Sequence, residues 1–245
     1  ADAFVDGLDN IETRYLANDL AVKTGRPYVY GAAVGTTGMA FTVLPHSANN
    51  APWETLASGS LATPCFRCLF EDAPPPGSSA TCETAGVIAP AVGIIANFQV
   101  AETLKILTRN FQRVSRTLLN LDVWANEILQ LKVNNAYEDG DCPCCKQRRF
   151  DYLDGIAGSS AAALCGRNAV QLRHRQQADA VDLDALAARL REHGLVTVNE
   201  FMLRTQISEN DKKYEITLFR DGRAIVKGTE ESGIARSVYA KYIGA

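Results

Sequence analysis

Two pairs of cysteines have the spacing of metal ligands. Cys65 and Cys68 form one C-x-x-C pair, and Cys142 and Cys145 form a second after 73 intervening residues. A tetrahedral zinc ion takes four thiolates, and each C-x-x-C turn supplies two of them from one short loop. The interval is longer than in a zinc ribbon, so we expect the metal to join two remote loops. Unrelated buried thiols and a redox-active C-x-x-C pair are the alternatives.

Three more cysteines need separate interpretations. Cys144 lies inside the second pair, where spacing alone favours the outer cysteines as ligands. Cys82 precedes a long apolar segment, and the positive end of a helix macrodipole there would lower the pKa of its thiol. The thiolate could form a thioester or a disulfide, whereas the alternative is a packed loop thiol. For Cys165 a buried structural role is favoured over a second reactive thiol at the domain junction.

A further candidate site is Asp9-Asn10, which follows an apolar strand and precedes Thr13 and Arg14 at the start of a helix. Ligands of open α/β sheets bind outside the carboxyl ends of the strands, where an aspartate can hold Mg²⁺ beside phosphates. The alternative is an ordinary helix cap, because Asp and Asn are preferred cap residues. The pair by itself therefore does not establish a nucleotide site.

The elements that must position these residues alternate between strand and helix, which predicts an α/β fold with a mixed, mostly parallel sheet. Residues 45–81 have low periodicity, which indicates an ordered crossing segment or a mobile loop. The apolar stretch 87–107 is predicted as a buried helix. The other predicted elements are strands at 3–8, 28–34 and 39–44, a helix at 12–24 and a hairpin at 117–133 that turns at 124–126, with Trp124 as a packing residue.

The character of the sequence changes after Cys145. A Gly/Ser/Ala-rich piece is followed by predicted strands at 169–173, 196–203, 215–219 and 224–226 and predicted helices at 183–192 and 233–242. The Asp221-Gly222 pair is typical of a tight hairpin turn. We therefore predict a first domain at residues 1–151 and a smaller C-terminal α+β domain at residues 152–245.

Charge and hydropathy exclude several classes of partner. The 25 basic and 28 acidic residues are interspersed and give a net charge of −3, which predicts no general attraction to nucleic acid or to a membrane surface. No uncharged apolar run reaches the roughly 18 residues of a membrane helix. Seven cysteines without a signal peptide indicate a reducing compartment, and we expect the cytoplasm. The chain begins at Ala1 inside an apparent strand, so we expect a missing upstream segment.

The order of the motifs resembles the ThiF/MoeB/HesA family, the bacterial relatives of ubiquitin-activating enzymes. The resemblance covers about residues 1–150 and rests on four stretches: VDGLDNIETR at 5–14, TCETAGVIA at 81–89, QVAETLK at 99–105 and CPCC at 142–145. It implies a Rossmann-like adenylation domain of the ubiquitin-activating type, present here in part. The first domain would lack its N-terminal nucleotide-binding half, and the C-terminal domain has no assigned function.

The resemblance also implies roles for individual residues. Asp9 would coordinate the magnesium of ATP, with Asn10 nearby and Thr13 and Arg14 lining the nucleotide site. Cys82 matches a cysteine that in some members links covalently to the carrier protein, so Asp9 and Cys82 are the catalytic candidates. The two C-x-x-C pairs would hold a structural zinc ion.

The implied reaction is attack of the C-terminal glycine carboxylate of a ubiquitin-like sulfur-carrier protein on the α-phosphate of ATP. The carrier would serve thiamine or molybdopterin synthesis, and the enzyme would be a homodimer. Residues 45–81 would be the loop over which the tail of the carrier reaches Cys82. The glycine-rich phosphate turn of the family lies upstream of Asp9, so this chain alone should be inactive. The alternative is a zinc-stabilised module that binds a ubiquitin-like protein without catalysis.

Overall fold

The computed structural model describes residues 1–46, 51–55, 59–74, 78–164, 168–174, 181–209 and 212–244. The chain forms two compact units. Unit 1 comprises residues 1–8, 13–72 and 87–155, and unit 2 comprises residues 9–12, 73–86 and 156–245. The predicted division into functional domains at residues 151 and 152 lies close to the change of unit at residues 155 and 156. The predicted C-terminal domain does not include residues 9–12 and 73–86, which belong to unit 2. The assignment of separate functions to the two domains stays a prediction.

The described elements are eleven strands, seven α-helices and one short 3-10 helix at Phe111–Arg113. The strands are β1 Phe4–Val5, β2 Tyr28–Val34, β3 Thr37–Val43, β4 Thr117–Asp122, β5 Glu127–Lys132, β6 Ser159–Leu164, β7 Ala169–His174, β8 Leu195–Val198, β9 Met202–Glu209, β10 Lys212–Phe219 and β11 Ala224–Lys227. The helices are α1 Ile11–Thr24, α2 Phe66–Leu69, α3 Cys82–Ala85, α4 Ala89–Leu107, α5 Asn135–Glu138, α6 Leu183–Leu190 and α7 Ser232–Tyr242.

Unit 1 contains a five-stranded sheet in the order β1-β2-β3-β4-β5. The α/β class is confirmed and the sheet is mixed, but its parallel share is smaller than expected. Strands β1 and β2 pair in parallel, whereas the other three described pairs are antiparallel. For β2 and β3 the reason is local: Gly35, at a φ of 61°, turns the chain back within two residues, and so short a link joins only antiparallel strands.

Helix α4 packs against β2 and β3 through one stripe of side chains, so the helix predicted to be buried is buried only in part. Ala91, Ile95 and Ile106 are buried on that stripe together with the polar Gln99 and Glu102. Several apolar side chains on the remaining faces are exposed: Val92, Ile94, Phe98, Val100, Leu104 and Leu107. Apolar composition therefore overestimated the burial of this helix. No helix in the described part of the chain is both long and apolar enough to cross a bilayer.

The crossing segment is anchored where the structure describes it. Trp53 is buried against Phe111, with ring centroids 5.6 Å apart, and its indole N–H donates to the Pro45 carbonyl at 3.0 Å. Thr63 accepts a hydrogen bond from the Leu44 amide at 2.9 Å. Residues 47–50, 56–58 and 75–77 of this segment lie outside the described residues. Of the two predicted possibilities, these contacts favour an ordered crossing segment over a mobile loop.

Unit 2 contains a six-stranded antiparallel sheet in the order β6-β7-β11-β10-β9-β8, together with α6 and α7. The predicted C-terminal α+β fold is confirmed. Strand β6 was not predicted, because its Ser and Ala residues have low strand propensity. The single strand predicted at 196–203 is instead the β8–β9 hairpin, whose turn is fixed by the Asn199 side chain accepting from the amides of Phe201 and Met202, both at 2.9 Å.

Candidate functional site

The two C-x-x-C sequences form compact turns in unit 1. Cys65 caps the short helix α2, and the Cys68 amide donates to the Cys65 carbonyl at 3.0 Å. The second turn follows α5, where the amides of Lys146 and Gln147 both donate to the Cys142 carbonyl at 3.2 Å. Backbone hydrogen bonds thus hold each turn closed, and each turn presents two thiols on the same side.

The four predicted ligand sulfurs lie together. The Sγ atoms of Cys65, Cys68, Cys142 and Cys145 are all within 4.8 Å of one another. Individual separations are 3.6 Å for Cys65 and Cys142, 3.8 Å for Cys65 and Cys68, and 3.3 Å for Cys68 and Cys145. A tetrahedron of thiolates around zinc, with bonds of about 2.3 Å, has edges of about 3.8 Å. The sulfur positions therefore fit one tetrahedral ion.

The chemistry of the donors also fits a soft divalent cation. The pKa of the Cys65 thiol lies well below its ordinary value, because Cys142 foremost and then the other thiols form hydrogen bonds that favour its thiolate. The pKa values of Cys68 and Cys145 are raised, chiefly by their hydrogen bonds with Cys142. The pKa of Cys142 is also lowered, chiefly by its hydrogen bond with Cys145, so two of the four thiols ionise more readily than the others. Four adjacent thiolates would require a cation among them. Four sulfur ligands without oxygen suit zinc and not magnesium.

Cys144 is buried but is not one of the four. Its Sγ lies 3.4 Å from the Nδ2 of Asn18, and the same amide nitrogen is 3.8 Å from the Cys65 sulfur. The Oδ1 of Asn18 accepts from the Phe66 amide at 2.8 Å. The Asn18 side chain of α1 therefore contacts the predicted ligand Cys65, the next residue Phe66 and the thiol of Cys144.

Buried charges surround the cysteine cluster on the α1 side. Arg67 donates to Asp151 at 3.3 Å, and the Oδ2 of Asp19 accepts from the amides of Tyr152 and Leu153 at 2.9 and 3.3 Å. Burial raises the pKa of Asp19. The Oδ1 of Asp19 and the Nε of Arg67 have no hydrogen-bond partner among the described residues. These groups link α1, α2 and the segment after the second turn into one polar layer.

Arg14 is engaged inside unit 1. Its Nε is 3.1 Å from the Oδ2 of Asp6, and its Nη2 donates to the Leu8 carbonyl at 2.7 Å. Asp6 is buried and also accepts from the Tyr28 hydroxyl at 2.8 Å and from the Leu8 amide at 2.8 Å. Arg14 therefore fixes the turn that leaves β1, and its predicted contact with a nucleotide stays a prediction.

The other nucleotide candidates lie at the start of α1. Asp9 is exposed after the carboxyl end of β1 and accepts from the Asn10 amide side chain at 3.1 Å, whereas Thr13 is half-buried. Asp9 and Asn10 belong to unit 2, and Thr13 and Arg14 belong to unit 1. An exposed carboxylate after a strand end is compatible with the predicted magnesium contact.

Cys82 is exposed, but its local structure differs from the prediction. It begins the four-residue helix α3, which ends at Gly86, and the long helix α4 begins only at Ala89. The macrodipole of α4 therefore cannot be assigned to this thiol, since such effects fall off within one turn. Thr81 and Thr84 instead form a capping box around the turn that carries Cys82. Cys165 lies outside the described residues.

The sequence profile of the ThiF family matches residues 1–144, more than half of the chain. The chain belongs to the ThiF family.

Three similar proteins illustrate the extent of the match. The sulfur carrier protein ThiS adenylyltransferase of Bacillus subtilis is 41% identical over 245 residues, which are 100% of this ThiF-family chain and 66% of that protein. The sulfur carrier protein adenylyltransferase of Thermus thermophilus is 34% identical over 59% of this chain and 48% of that protein. The SAMP-activating enzyme E1 of Haloferax volcanii is 32% identical over 64% of this chain and 51% of that protein. The chain thus spans between about half and two thirds of the length of these relatives.

One solved structure, that of Escherichia coli MccB with MccA-N7isoAsn, overlaps this ThiF-family chain with a TM-score of 0.43 at 14% identity. The overlap covers 59% of this chain and 41% of that one. It is too small to bear on the fold.

Two residues of this ThiF-family chain were not singled out from the sequence although they organise the site. Asp6 fixes Arg14, and Asn18 contacts the cysteine cluster. Asn18 had a detectable signal, because it shares the apolar face of α1 with Tyr15 and Val22 at helical spacing. A polar residue on a buried stripe needs a partner, and that partner was identifiable only in three dimensions.

Proposed function

We propose that this chain is the metal-binding and carrier-facing part of an adenylyltransferase that activates a ubiquitin-like sulfur-carrier protein. The observation that carries the proposal is the four-thiol cluster in a chain of the ThiF family. The Bacillus subtilis relative, whose name states this activity, is similar along the whole chain. The carrier would serve thiamine or molybdopterin synthesis, and the reaction would take place in the cytoplasm.

In the proposed reaction, a carboxylate oxygen of the carrier's C-terminal glycine attacks the α-phosphorus of ATP. The bond from that phosphorus to the bridging oxygen of the β-phosphate breaks, and pyrophosphate leaves. Asp9 would hold Mg²⁺, which supplies charge neutralisation at the phosphates. Asn10 and Thr13 would contact the nucleotide, and Arg14 would keep the strand end in place. The exposed thiol of Cys82 would then be the candidate for covalent attachment of the carrier.

The four cysteines of the two turns would hold a structural zinc ion. The closed set of four sulfur ligands supports a structural role, since a catalytic zinc keeps an open position. The ion would tie α2 to the segment after α5 and leave the reaction to other residues. Zinc at one equivalent per chain that survives dialysis would support this role, and reversible thiol oxidation without metal would instead support a redox protein.

The reaction is tested by carrier-dependent exchange of pyrophosphate into ATP, measured with the full-length protein that contains this chain. Asp9→Asn should lower the exchange rate by about 100-fold, the scale of losing one group that neutralises developing charge. The matched control is Asp2→Asn, because Asp2 is an exposed aspartate that pairs with Arg26 at 3.7 Å. Wild-type activity in both variants would contradict the role of Asp9.

The chain comprising residues 1–245 should bind the carrier but give no exchange, since residues 1–245 contain no recognisable glycine-rich phosphate turn of the family. Exchange by this chain alone would overturn that expectation. Carrier binding by the full-length protein without any exchange would favour the alternative, a zinc-stabilised module without catalysis. Replacing the described residues of the crossing segment between 46 and 63 by alanine should weaken carrier binding if the tail of the carrier follows that segment.

We also propose that a second copy of this chain covers exposed apolar side chains in unit 1. Phe98, Val100 and Leu104 of α4 are exposed, as are Ile128 and Leu131 of the edge strand β5. The predicted homodimer would bury such residues. Sedimentation should therefore give a dimer, and Leu104→Glu should shift it to monomer without loss of zinc. A wild-type monomer would contradict this part of the proposal.

A further inference from the structure

The C-terminal domain has no role in the proposed reaction so far, but unit 2 gathers two segments that are remote from it in sequence. Residues 9–12 and 73–86 group with residues 156–245 as one compact body. The first segment carries Asp9 and the second carries Cys82, the two residues predicted to be catalytic. The inference that follows rests on the proposed function for the importance of those two residues, and on contacts within unit 2 for everything else.

The turn that carries Cys82 is held by α6 and by the end of α7. The hydroxyl of Thr81 donates to the carbonyl of Lys241, and the guanidinium of Arg189 donates to the Ser79 carbonyl at 3.1 Å. Gly244 lies against the same backbone: a Cβ added there would be 3.3 Å from the Ser79 oxygen and 3.2 Å from the Thr81 methyl group. Ser79 and Thr81, which lie just before Cys82, therefore both contact the C-terminal domain.

The helix α3 depends on those contacts for its position. It has four residues, none of them buried, and helices this short are not stable in isolation. Its capping box satisfies two backbone groups but buries no apolar surface. The packing that gives α3 a fixed place is therefore the packing of α3 on α7.

The segment that carries Asp9 also lies against the C-terminal domain, through Glu12. Glu12 lies close enough to Tyr239 of α7 for its charge to add to the burial that raises the pKa of this tyrosine. Gly158 is in direct contact with the same side chain, since a Cβ added there would lie 2.7 Å from the Glu12 carboxylate. Within unit 2, Gly158 therefore adjoins the Asp9 segment, and the end of α7 contacts the Cys82 segment.

We propose that the C-terminal α+β domain is the platform that positions the Asp9 and Cys82 segments for the reaction. The end of its last helix, α7, contacts the Cys82 segment, Gly158 adjoins the Asp9 segment, and Arg189, Gly158 and Gly244 are positioning residues. The domain then acts through the geometry of Asp9 and Cys82 and needs no ligand of its own. Its large apolar core suits this task, because a platform must keep its shape while the segments it carries contact substrates.

Amide hydrogen exchange with the full-length protein tests the platform directly. Arg189→Leu and Gly244→Ala should each raise the exchange rate of amides at residues 82–86 by about fivefold, the factor for one lost hydrogen bond or an equivalent contact. Gly158→Ala should do the same for residues 11–14. Amides of the cysteine cluster in unit 1 should be unchanged in all three variants. The alkylation rate of Cys82, read by mass spectrometry, should change in the first two variants and stay constant in the third.

Gly222→Ala is the matched control. Gly222 has a φ of 78°, almost that of Gly244 at 79°, but it lies in the hairpin between β10 and β11. Both substitutions place a Cβ on a residue with a left-handed φ, so the backbone strain is similar. The Cβ at Gly244 in addition approaches Ser79 and Thr81. Arg189→Leu is a surface substitution and keeps the test valid if Gly244→Ala does not fold.

The outcomes separate this inference from the proposed function. Faster exchange at 82–86 in both variants, but not in Gly222→Ala, supports the platform even if pyrophosphate exchange is absent. In an active protein, the same variants should lower kcat and leave the KM for ATP unchanged. Exchange and alkylation within twofold of wild type in Arg189→Leu and Gly244→Ala would overturn the platform even if adenylation is demonstrated.

Discussion

The two units are stabilised by different means. Unit 2 has one continuous core of nineteen buried side chains, including Leu186, Leu203 and Ile216. The apolar clusters described in unit 1 are smaller, for example seven residues around Trp53 and four around Ile95. Unit 1 also buries aromatic side chains such as Tyr15 and Phe66, but it adds a thiol cluster and buried charges that unit 2 does not show among its described residues. Unit 2 is thus stabilised mainly by one apolar core, whereas we expect unit 1 to depend on a metal in addition to its apolar clusters.

The sequence supplies a convenient reporter of this difference. It contains two tryptophans, and both Trp53 and Trp124 lie in unit 1. Tryptophan fluorescence therefore follows unit 1, while far-UV circular dichroism follows both units. A variant that affects one unit should shift one signal and spare part of the other.

Loss of the metal should have the largest effect. We expect Cys65→Ser, or chelation of the wild type, to destabilise unit 1 by more than about 4 kcal/mol, because removing one ligand leaves buried thiols without a cation. Urea denaturation followed by tryptophan fluorescence would measure this change. The transition of unit 2, read by circular dichroism, should remain.

Cys144→Ser is the control for the ligand variant. Cys144 is equally buried and lies in the same turn as two of the predicted ligands, but its sulfur faces Asn18. The control should keep one zinc per chain, and Cys65→Ser should not. Equal zinc loss in both variants would mean that the ligand set is wrong.

Truncation in the core of unit 2 should have the next largest effect. Leu186→Ala, in α6, removes a side chain that is 1% exposed, and we expect a loss of about 3 kcal/mol for transfer and cavity formation. The change should appear in circular dichroism and leave the tryptophan transition unshifted. Leu195→Ala, at a residue that is 77% exposed, should change stability by less than about 0.5 kcal/mol. A shift of the tryptophan transition by Leu186→Ala would contradict the expectation that this substitution affects unit 2 alone.

A smaller effect is expected for Asn18, which supports the cysteine cluster from outside. Asn18→Ala removes the acceptor of the Phe66 amide and the donor near the Cys65 sulfur, which should cost about 2 kcal/mol of stability. Zinc affinity, measured by competition with a chelator, should fall by about tenfold. Asn97→Ala is the control, because the Asn97 amide is exposed and bonds only within α4 in the described structure. If the control weakens zinc binding as much, the assignment to Asn18 fails.

The same contrast explains which parts of the fold could be predicted. Periodic segments with clear boundaries, such as α1, β2 and the β4–β5 hairpin, were predicted within a few residues. Strand β6 was not predicted because Ser and Ala have low strand propensity. Its extended conformation is stabilised by pairing with β7, which its composition does not indicate. The expected packing of Trp124 was wrong, since this side chain is 80% exposed. Burial of a turn residue depends on which other parts of the fold pack against the turn, and the local sequence does not indicate them.

The candidate site divides in a similar way. The spacing of the cysteines predicted which sulfurs would meet, because short C-x-x-C turns fix their own geometry. The partners of those turns, Asn18 and Asp19, are contributed by a helix more than 40 residues away in sequence, and no local pattern states such a pairing. The placement of Cys82 on its own short helix also escaped prediction, because Gly86 separates α3 from α4.

The smallest effect on stability is expected for a substitution on the surface of unit 2. It tests whether charged side chains stabilise unit 2 as they do unit 1. Glu215 lies 2.9 Å from Lys227 and 3.9 Å from Arg204, and the hydrogen bond from Lys227 is the main cause that lowers its pKa below the ordinary 4.5. A carboxyl with a lowered folded pKa stabilises the protein above its unfolded pKa, and this contribution is lost as the pH falls through the folded value. Glu215→Gln should therefore cost about 0.5 kcal/mol at pH 7, as for other partly exposed pairs.

That difference should shrink as the pH falls from about 5 to about 3, where the wild-type carboxyl also becomes neutral. Urea denaturation followed by circular dichroism at several pH values would measure it. Glu200→Gln, at an exposed loop position, is the control and should show no difference at any of these pH values. A cost above about 2 kcal/mol for Glu215→Gln would mean that unit 2 relies on its surface charges as well as on its core, and the contrast with unit 1 would be weaker than proposed.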